Sequence, residues 1–449
     1  MYIYIYVCIY IFIYIYIYAY IYTYIHIPDS GEIVVAAWKL VFGHPLGYPL
    51  ITLVGHIFCH YALPLGEPAW RMGVLNALFG AATTSLLVLM LIQLTGCSRS
   101  ALAAALLYAL SPLVWQYATT PEVFALNNLF SALILKLLVS FTLAPSSTDR
   151  VKWARCGALT CSLALSNQHT ISLLVLPVAL HVTFSLRQHL IRHPSELVVW
   201  LCALVVGLSP YLILAVLSGI FGDELYSWGD TSSVTGLVKH VLRQEYGTFD
   251  LISGFERTTQ GILQGLALYL STTSQQSLHL AFPSTLLILI HTLILGKGEG
   301  RGARGGDGGR REVLGVIVCA WVGYVLFFHW RSHLPLDHPL YRGVLMRFYM
   351  QPNMLLTIFV GYALSTVLRD ERDEEEEEVA REEEEEVWVV EEIGGCGERC
   401  WDGWCAQHVA ECTCGWGGTT RCCSGTMWLL KATPCPLLRA CPRGVLCKG

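Results

Sequence analysis

The sequence predicts an all-α polytopic membrane protein, and three observations carry that prediction. Of 449 residues, 54% are apolar and 14% charged, against ~25% charged in a soluble domain, and the mean hydropathy is +0.51. Apolar runs of near-span length recur between residues 73 and 368, separated by polar breaks. Basic residues cluster in alternate breaks, as they do on the cytoplasmic side of membrane proteins. A water-soluble fold, collagen, wholesale disorder and a small disulfide scaffold are excluded. The net charge of −5 is misleading, because residues 369–392 hold 15 of the 34 acidic and 3 of the 29 basic side chains. The rest of the chain is net basic.

Four regions follow from composition. Residues 1–27 are a Tyr/Ile low-complexity segment with 10 of the 22 tyrosines, the pattern a TA repeat encodes. The segment is apolar enough to stand in for a first span, though its period of two is a strand pattern. It lacks the basic start and small-residue end of a cleavable signal. Residues 28–368 form the multi-span domain. Residues 369–393 are an acidic low-complexity tail. Residues 394–449 hold 10 of the 17 cysteines at irregular spacings, without the paired C-x-x-C units of a zinc ribbon, and are read as non-homologous. The other seven cysteines, in or beside spans, read as small buried hydrophobes.

Apolar runs fall near 73–95, 101–118, 122–144, 154–166, 170–186, 197–221, 280–296, 313–330 and 352–368. With the Tyr/Ile segment they give about ten crossings. Arg99, then Arg150, Lys152 and Arg155, then Arg187 and Arg192, then Lys297, Arg301, Arg304, Arg310 and Arg311 mark the cytoplasmic loops. The lumenal loops are therefore 28–72, 119–121, about 167–169, 222–279 and 331–351, two of them long enough to build a site at the lumenal membrane surface.

Candidate chemistry collects in those loops. Asp29 and Glu32 fit a capping box for a helix running to Gly43, and equally a rigidly held carboxylate at the membrane surface. His44-Pro45-Leu46-Gly47-Tyr48-Pro49 fixes a turn. His56 and His60 share a helical spacing but lack a third ligand, so no metal is expected. Polar residues then recur at lumenal span ends: Trp115, Tyr117, Thr120, Glu122, Asn127 and Asn128, then Asn167, Gln168 and His169. Groups of this kind serve either a site or helix–helix hydrogen bonding. Trp228, Asp230, Arg243 and Glu245 place aromatics and charges together, as sugar and phosphate recognition does. Arg331, His333, Asp337, His338, Arg342 and Arg347 put basic groups at headgroup depth. Gly300, Gly302 and Gly305 match G-x-G-x-x-G only by spacing, inside a Gly/Arg linker at 296–311.

Taken together, Asp29-Ser30-Gly31-Glu32, the stretch Gly43 to Pro49, the stretch Arg71 to Gly80, Pro121 to Asn128, Ser166-Asn167-Gln168-His169-Thr170, Trp228-Gly229-Asp230 and Arg243 to Phe249 resemble the transmembrane protein 260 family of protein O-mannosyltransferases. The match runs in order over about residues 29–368. The resemblance implies a GT-C-like bundle of about ten transmembrane helices in the endoplasmic reticulum membrane, with its active site at the lumenal surface. It implies dolichyl phosphate mannose as a lipid-linked donor substrate without a further cofactor. It also implies Ser/Thr acceptors in IPT domains of plexin-type receptors, the bilayer as a further partner, and no nucleic acid. Asp29 takes the position of the family's catalytic base, with Glu32 and His44 supporting it. Tyr48, Glu122, Asn127, Gln168, His169, Trp228, Asp230, Arg243, Glu245, Arg331 and Arg347 are the expected substrate contacts, with Arg331 or Arg347 facing the phosphate. Three departures accompany the resemblance: the Tyr/Ile repeat ahead of Asp29, the Gly/Arg linker, and the tails in place of the family's lumenal C-terminal region. The competing readings are a lipid or solute transporter, which would call for internal repeats and charged midplane helices, and an inactive truncated product.

Overall fold

The computed structural model describes residues 30–45, 47–63, 65–222, 226–229, 231, 233–244, 259–294, 306–332 and 334–368. The chain divides into two compact units, 1–376 and 377–449, and the second lies outside the described residues, as do the Tyr/Ile segment and both tails.

Every described element is helical. Helix α1 spans Ser30–Lys39 and α2 spans Pro49–Ile57, continued by a π-turn at Phe58–Ala62. The long helix α3 (Pro68–Thr95) opens on a proline at its first turn and stops at Gly96, whose φ of 75° gives the left-handed cap. Helices α4 (Ser98–Ala109) and α5 (Pro112–Ala118) are an apolar pair bent by 71° across the short break before Pro112. Next come α6 (Phe124–Thr142), α7 (Ser147–Leu165, capped by the Ser146 hydroxyl), α8 (Ser172–Ser185), α9 (Arg187–Arg192) and α10 (Ser195–Phe221). The second half holds α11 (Val234–Val241), α12 (Thr259–Gln276), α13 (Ala281–Ile294), α14 (Gly306–Ser332) and α15 (Pro339–Met346). A 3-10 turn at Arg347–Tyr349 carries α15 into one continuous span, Pro339–Leu368.

Five of these helices are long and apolar enough to cross a membrane, or six with the bent pair, while Pro49–Ala62, His169–Ser185 and Ala281–Ile290 are shorter apolar helices. Each apolar run read from residue 73 onward is helical, the run 101–118 as two helices, but several are too short to count as full spans. Three expectations are corrected. Helix α1 ends at Lys39 rather than Gly43, because Leu40 turns into the left-handed region at φ 55°. The region 222–279 is not a plain loop, since it contains α11 and α12. The tail of the Gly/Arg linker, residues 306–311, already belongs to α14, and its G-x-G-x-x-G lies outside the described residues. The cysteines also divide differently: Cys59 and Cys97 are buried, but Cys156, Cys202 and Cys319 are exposed on helices.

Helix α3 packs most extensively on α6, and α7 on α10. The second contact is close, since a Cβ on Gly207 would stand 2.2 Å from that of Ser162, so only glycine fits. Polar side chains inside spans bond their own helix, as Thr83, Thr84 and Thr95 do to carbonyls four residues back, because lipid offers no alternative partner. Buried tyrosines lock the second half together. Tyr269 accepts from the Trp321 indole at 2.8 Å, Tyr324 donates to the Phe348 carbonyl at 3.1 Å, and Tyr349 packs edge-on against Tyr269. These contacts fix the Arg347–Tyr349 turn against α12 and α14.

Alternate connections gather at opposite ends of the bundle. At one end Arg155 pairs with Glu196, Arg150 stands over Phe141, and His181 faces Glu312 at 3.6 Å. The other end holds the candidate site.

Candidate functional site

The first connection builds the floor. Glu32, in the first turn of α1, receives the chain as it doubles back after Leu40. Its carboxylate accepts the His44 backbone N–H and, at 2.9 Å, His44 Nδ1–H. A carboxylate can only accept, so Nδ1 carries the proton and Nε2 faces the Tyr48 hydroxyl at 3.0 Å. The turn requires Gly47, whose φ is 71° and where a Cβ would meet the Phe42 ring at 2.5 Å. Tyr48 itself holds φ 44°, a strained conformation for a bulky residue, and precedes Pro49 at the start of α2. Leu40 and Phe42 are pinned beneath by Leu214 of α10 and Leu237 of α11.

Two further connections form the walls. Asn76 of α3 donates its amide to the carbonyls of Thr120 and, at 2.8 Å, Glu122. This holds the buried Glu122 at the entrance of α6. Asn167 donates to the Val123 carbonyl at 3.2 Å, joining the α7–α8 connection to the same loop. Next to it, Gln168 is 3% exposed with its Oε1 unbonded, and His169 bonds the Tyr211 hydroxyl of α10 at 3.1 Å.

A cavity of about 870 Å³ opens among these connections. His44, Tyr48, Gln168, His169, Arg243, Arg331 and Arg347 supply the charged and polar groups of its lining. Leu173, Leu176, Pro177 and Leu180, which follow His169 along α8, and Gly323 and Phe327, which precede Arg331 on α14, continue the lining along those helices as an apolar stretch. A smaller cavity of about 40 Å³ behind it is shared by His44, Tyr48, Glu122, Gln168 and Arg347. Arg347 stands 5.6 Å over the Phe124 ring, so its guanidinium is braced from below.

Electrostatics set the protonation of the polar part. Burial pushes the Tyr48 phenol up to about 12, opposed by Arg243 and Arg347 and assisted by Glu122 and Glu32. Burial, then Arg243 and Arg331, pushes His169 down to about 4. Both are neutral at pH 7, so neither adds charge to that of Arg243, Arg331 and Arg347.

Nine of the expected site residues, Glu32, His44, Tyr48, Glu122, Gln168, His169, Arg243, Arg331 and Arg347, thus come together. Asn127 does not line either cavity, being buried within α6. Trp228 is 45% exposed and lines neither cavity, while its backbone N–H donates to the Phe42 carbonyl at 3.1 Å. Asp29, Asp230, Glu245 and His333 lie outside the described residues. The sequence reading missed the apolar half of the cavity, since its leucines carry no mark that separates them from lipid-facing ones. His56 and His60 bond the carbonyls of Ala37 (3.0 Å) and Trp38 (3.3 Å), closing the orphaned C-terminus of α1. Among the described residues no group of three or more His, Cys, Asp or Glu could hold a metal ion.

Residues 29–192 match the family described as the protein O-mannosyl-transferase TMEM260 N-terminal domain. The chain is 33% identical over 342 residues to the protein O-mannosyl-transferase TMEM260 of Mus musculus, covering 76% of this chain and 46% of that protein. It is 32% identical over 361 residues to the Dictyostelium discoideum protein of that name, covering 76% and 42%. The chain therefore spans less than half the length of these relatives. Among solved structures it resembles ArnT from Cupriavidus metallidurans bound to undecaprenyl phosphate, with a TM-score of 0.51 and 14% identity over 75% of this chain and 55% of that one. That likeness shows the fold, a GT-C-type helical bundle.

Proposed function

We propose, from the match of residues 29–192 to the TMEM260 N-terminal domain family, that the chain is a membrane glycosyltransferase. It moves mannose from dolichyl phosphate mannose to Ser/Thr hydroxyls of protein acceptors, IPT domains of plexin-type receptors, with inversion at the anomeric carbon. It acts in the endoplasmic reticulum membrane with the cavity end facing the lumen, the side that the basic loops at the opposite end favour.

The observation that carries this reading is the division of the cavity. A lipid-linked sugar phosphate is a polar head on an apolar tail, and the cavity offers three arginines to the one and a groove of leucines to the other. The relatives' names supply the sugar and the linkage, and the neighbouring fold holds a polyprenyl phosphate.

The reaction follows from these parts. Arg243, Arg331 and Arg347 receive the phosphodiester and stabilise the second charge that appears as the sugar–phosphate bond breaks. The acceptor oxygen attacks the anomeric carbon from the face opposite the phosphate, and its proton passes to Asp29. Glu32 is engaged twice by His44 and so acts as a support, setting the turn that carries His44 and Tyr48 into the cavity. The neutral Tyr48 and His169 add hydrogen bonds to the sugar without adding charge. Dolichyl phosphate and the mannosylated side chain are the products.

Membranes containing the chain are expected to transfer mannose from dolichyl phosphate mannose to a purified IPT domain. Transfer that proceeds from a nucleotide-linked mannose, with the lipid-linked donor excluded, would contradict the assignment.

A further inference from the structure

Lys136 carries a charge in an unusual place. It lies in Phe124–Thr142, a helix long and apolar enough to span a membrane, where a lysine is costly and marks a functional contact by default. Its ammonium donates to Gln93 Oε1 of α3 and, at 2.9 Å, to the Ser140 hydroxyl, which itself donates to Gln93 Oε1 at 3.2 Å. Both partners are neutral. Among the described residues no carboxylate forms an ion pair with Lys136. Among the described residues Gln93 and Ser140 are its two acceptors, which leaves one of its three N–H donors for another group.

The position is equally informative. Ser140 stands two residues before the end of α6 and Gln93 two before the end of α3, at the end of the bundle opposite the cavity. The Lys136 side chain runs toward the helix C-terminus, against the usual lean of helical side chains, as a lysine does when it reaches for the membrane surface. Gln93 is exposed, and its carbonyl oxygen is taken by Lys136 and Ser140, so its amide nitrogen turns away from them. Donors of net positive charge are thus gathered beside an exposed side chain near the ends of two membrane-length helices, where a bilayer would place its phosphates.

We propose that Lys136, Gln93 and Ser140 form a binding site for the phosphate of an anionic phospholipid headgroup, in the leaflet opposite the cavity. The ammonium and the Gln93 amide donate to phosphate oxygens, and Ser140 fixes the ammonium in place. The site is independent of the transfer reaction and stands whether or not the chain moves mannose.

The test titrates the full chain in detergent with short-chain phosphatidylglycerol, short-chain phosphatidylcholine or inorganic phosphate, counting bound molecules by native mass spectrometry. A phosphatidylglycerol adduct is expected that Lys136→Met weakens at least tenfold, that Lys136→Arg retains, and that Arg331→Gln, acting on the cavity at the other end, leaves in place. Lys136→Met removes a charge from a span and so inserts at least as readily as the parent, and its thermal midpoint checks the fold. Unchanged phosphatidylglycerol binding in Lys136→Met would overturn the site. Inorganic phosphate binding as tightly as phosphatidylglycerol would overturn the lipid as its source. Equal binding of phosphatidylcholine would overturn the requirement for a net anionic headgroup.

Discussion

Glu32 and His44 are joined twice, through the backbone N–H and through Nδ1 at 2.9 Å, across a turn of twelve residues. The first connection is shaped by this pair, since the described residues between Leu40 and Tyr48 hold no helix or strand. Glu32→Ala removes a charged acceptor from two donors and is expected to cost about 1.5–3 kcal/mol per lost bond. A fall in thermal midpoint together with loss of transfer would agree. An unchanged midpoint would show that the turn holds without the pair.

Asn76 acts at a distance on the same floor. Its amide serves two carbonyls, so Asn76→Ala leaves both unpaired in a buried place and is expected to destabilise the chain by about 2–3 kcal/mol. Glu122 and Arg347 would then lose their common setting. Asn76→Asp should fail similarly, because a carboxylate cannot donate. Full stability in either variant, read as the thermal midpoint, contradicts the account of this loop.

Arg347 is expected to act through geometry as well as charge. Arg347→Lys keeps the charge but loses the planar fork and the contact over Phe124. KM for the lipid-linked donor should rise roughly tenfold, the loss of about one charge-assisted bond, with a smaller change in kcat. A change confined to kcat would mean that Arg347 meets the phosphate only after the bond breaks.

His169 gives a pH signature. In the folded chain it stays neutral down to about 4, against 6.5 for the free side chain. As pH falls from 6.5 toward 4, the unfolded state takes up this proton and the folded state does not, so stability is lost over that window, by up to about 3 kcal/mol. The thermal midpoint of the parent should therefore drop more steeply below about pH 6.5 than that of His169→Gln. Parallel slopes would show that the imidazole is not held neutral.

Much of the fold was legible because spans announce themselves: each apolar run from residue 73 onward is helical. What escaped was set by tertiary context. Helix α12 reads as a polar loop because Thr259, Gln260, Gln264 and the Ser/Thr pairs dilute its apolar face, and only its packing of Tyr269 against Trp321 and Tyr349 reveals it. Glu32 fits a capping box on spacing alone, yet its partner, His44, lies beyond the helix it opens. The polar half of the cavity was readable since buried polar groups at span ends are conspicuous. Leu173, Leu176 and Leu180 were not, because the sequence does not distinguish a leucine facing a groove from one facing lipid.

The most direct measurement compares membranes containing the parent chain with membranes containing Asp29→Asn at equal expression, following mannose from dolichyl phosphate mannose to a purified IPT domain. The account predicts transfer by the parent and a loss of about 10²–10⁴-fold in the variant, the contribution of a positioned general base. A parent chain that expresses but transfers no mannose, or an Asp29→Asn variant as fast as its parent, would contradict it.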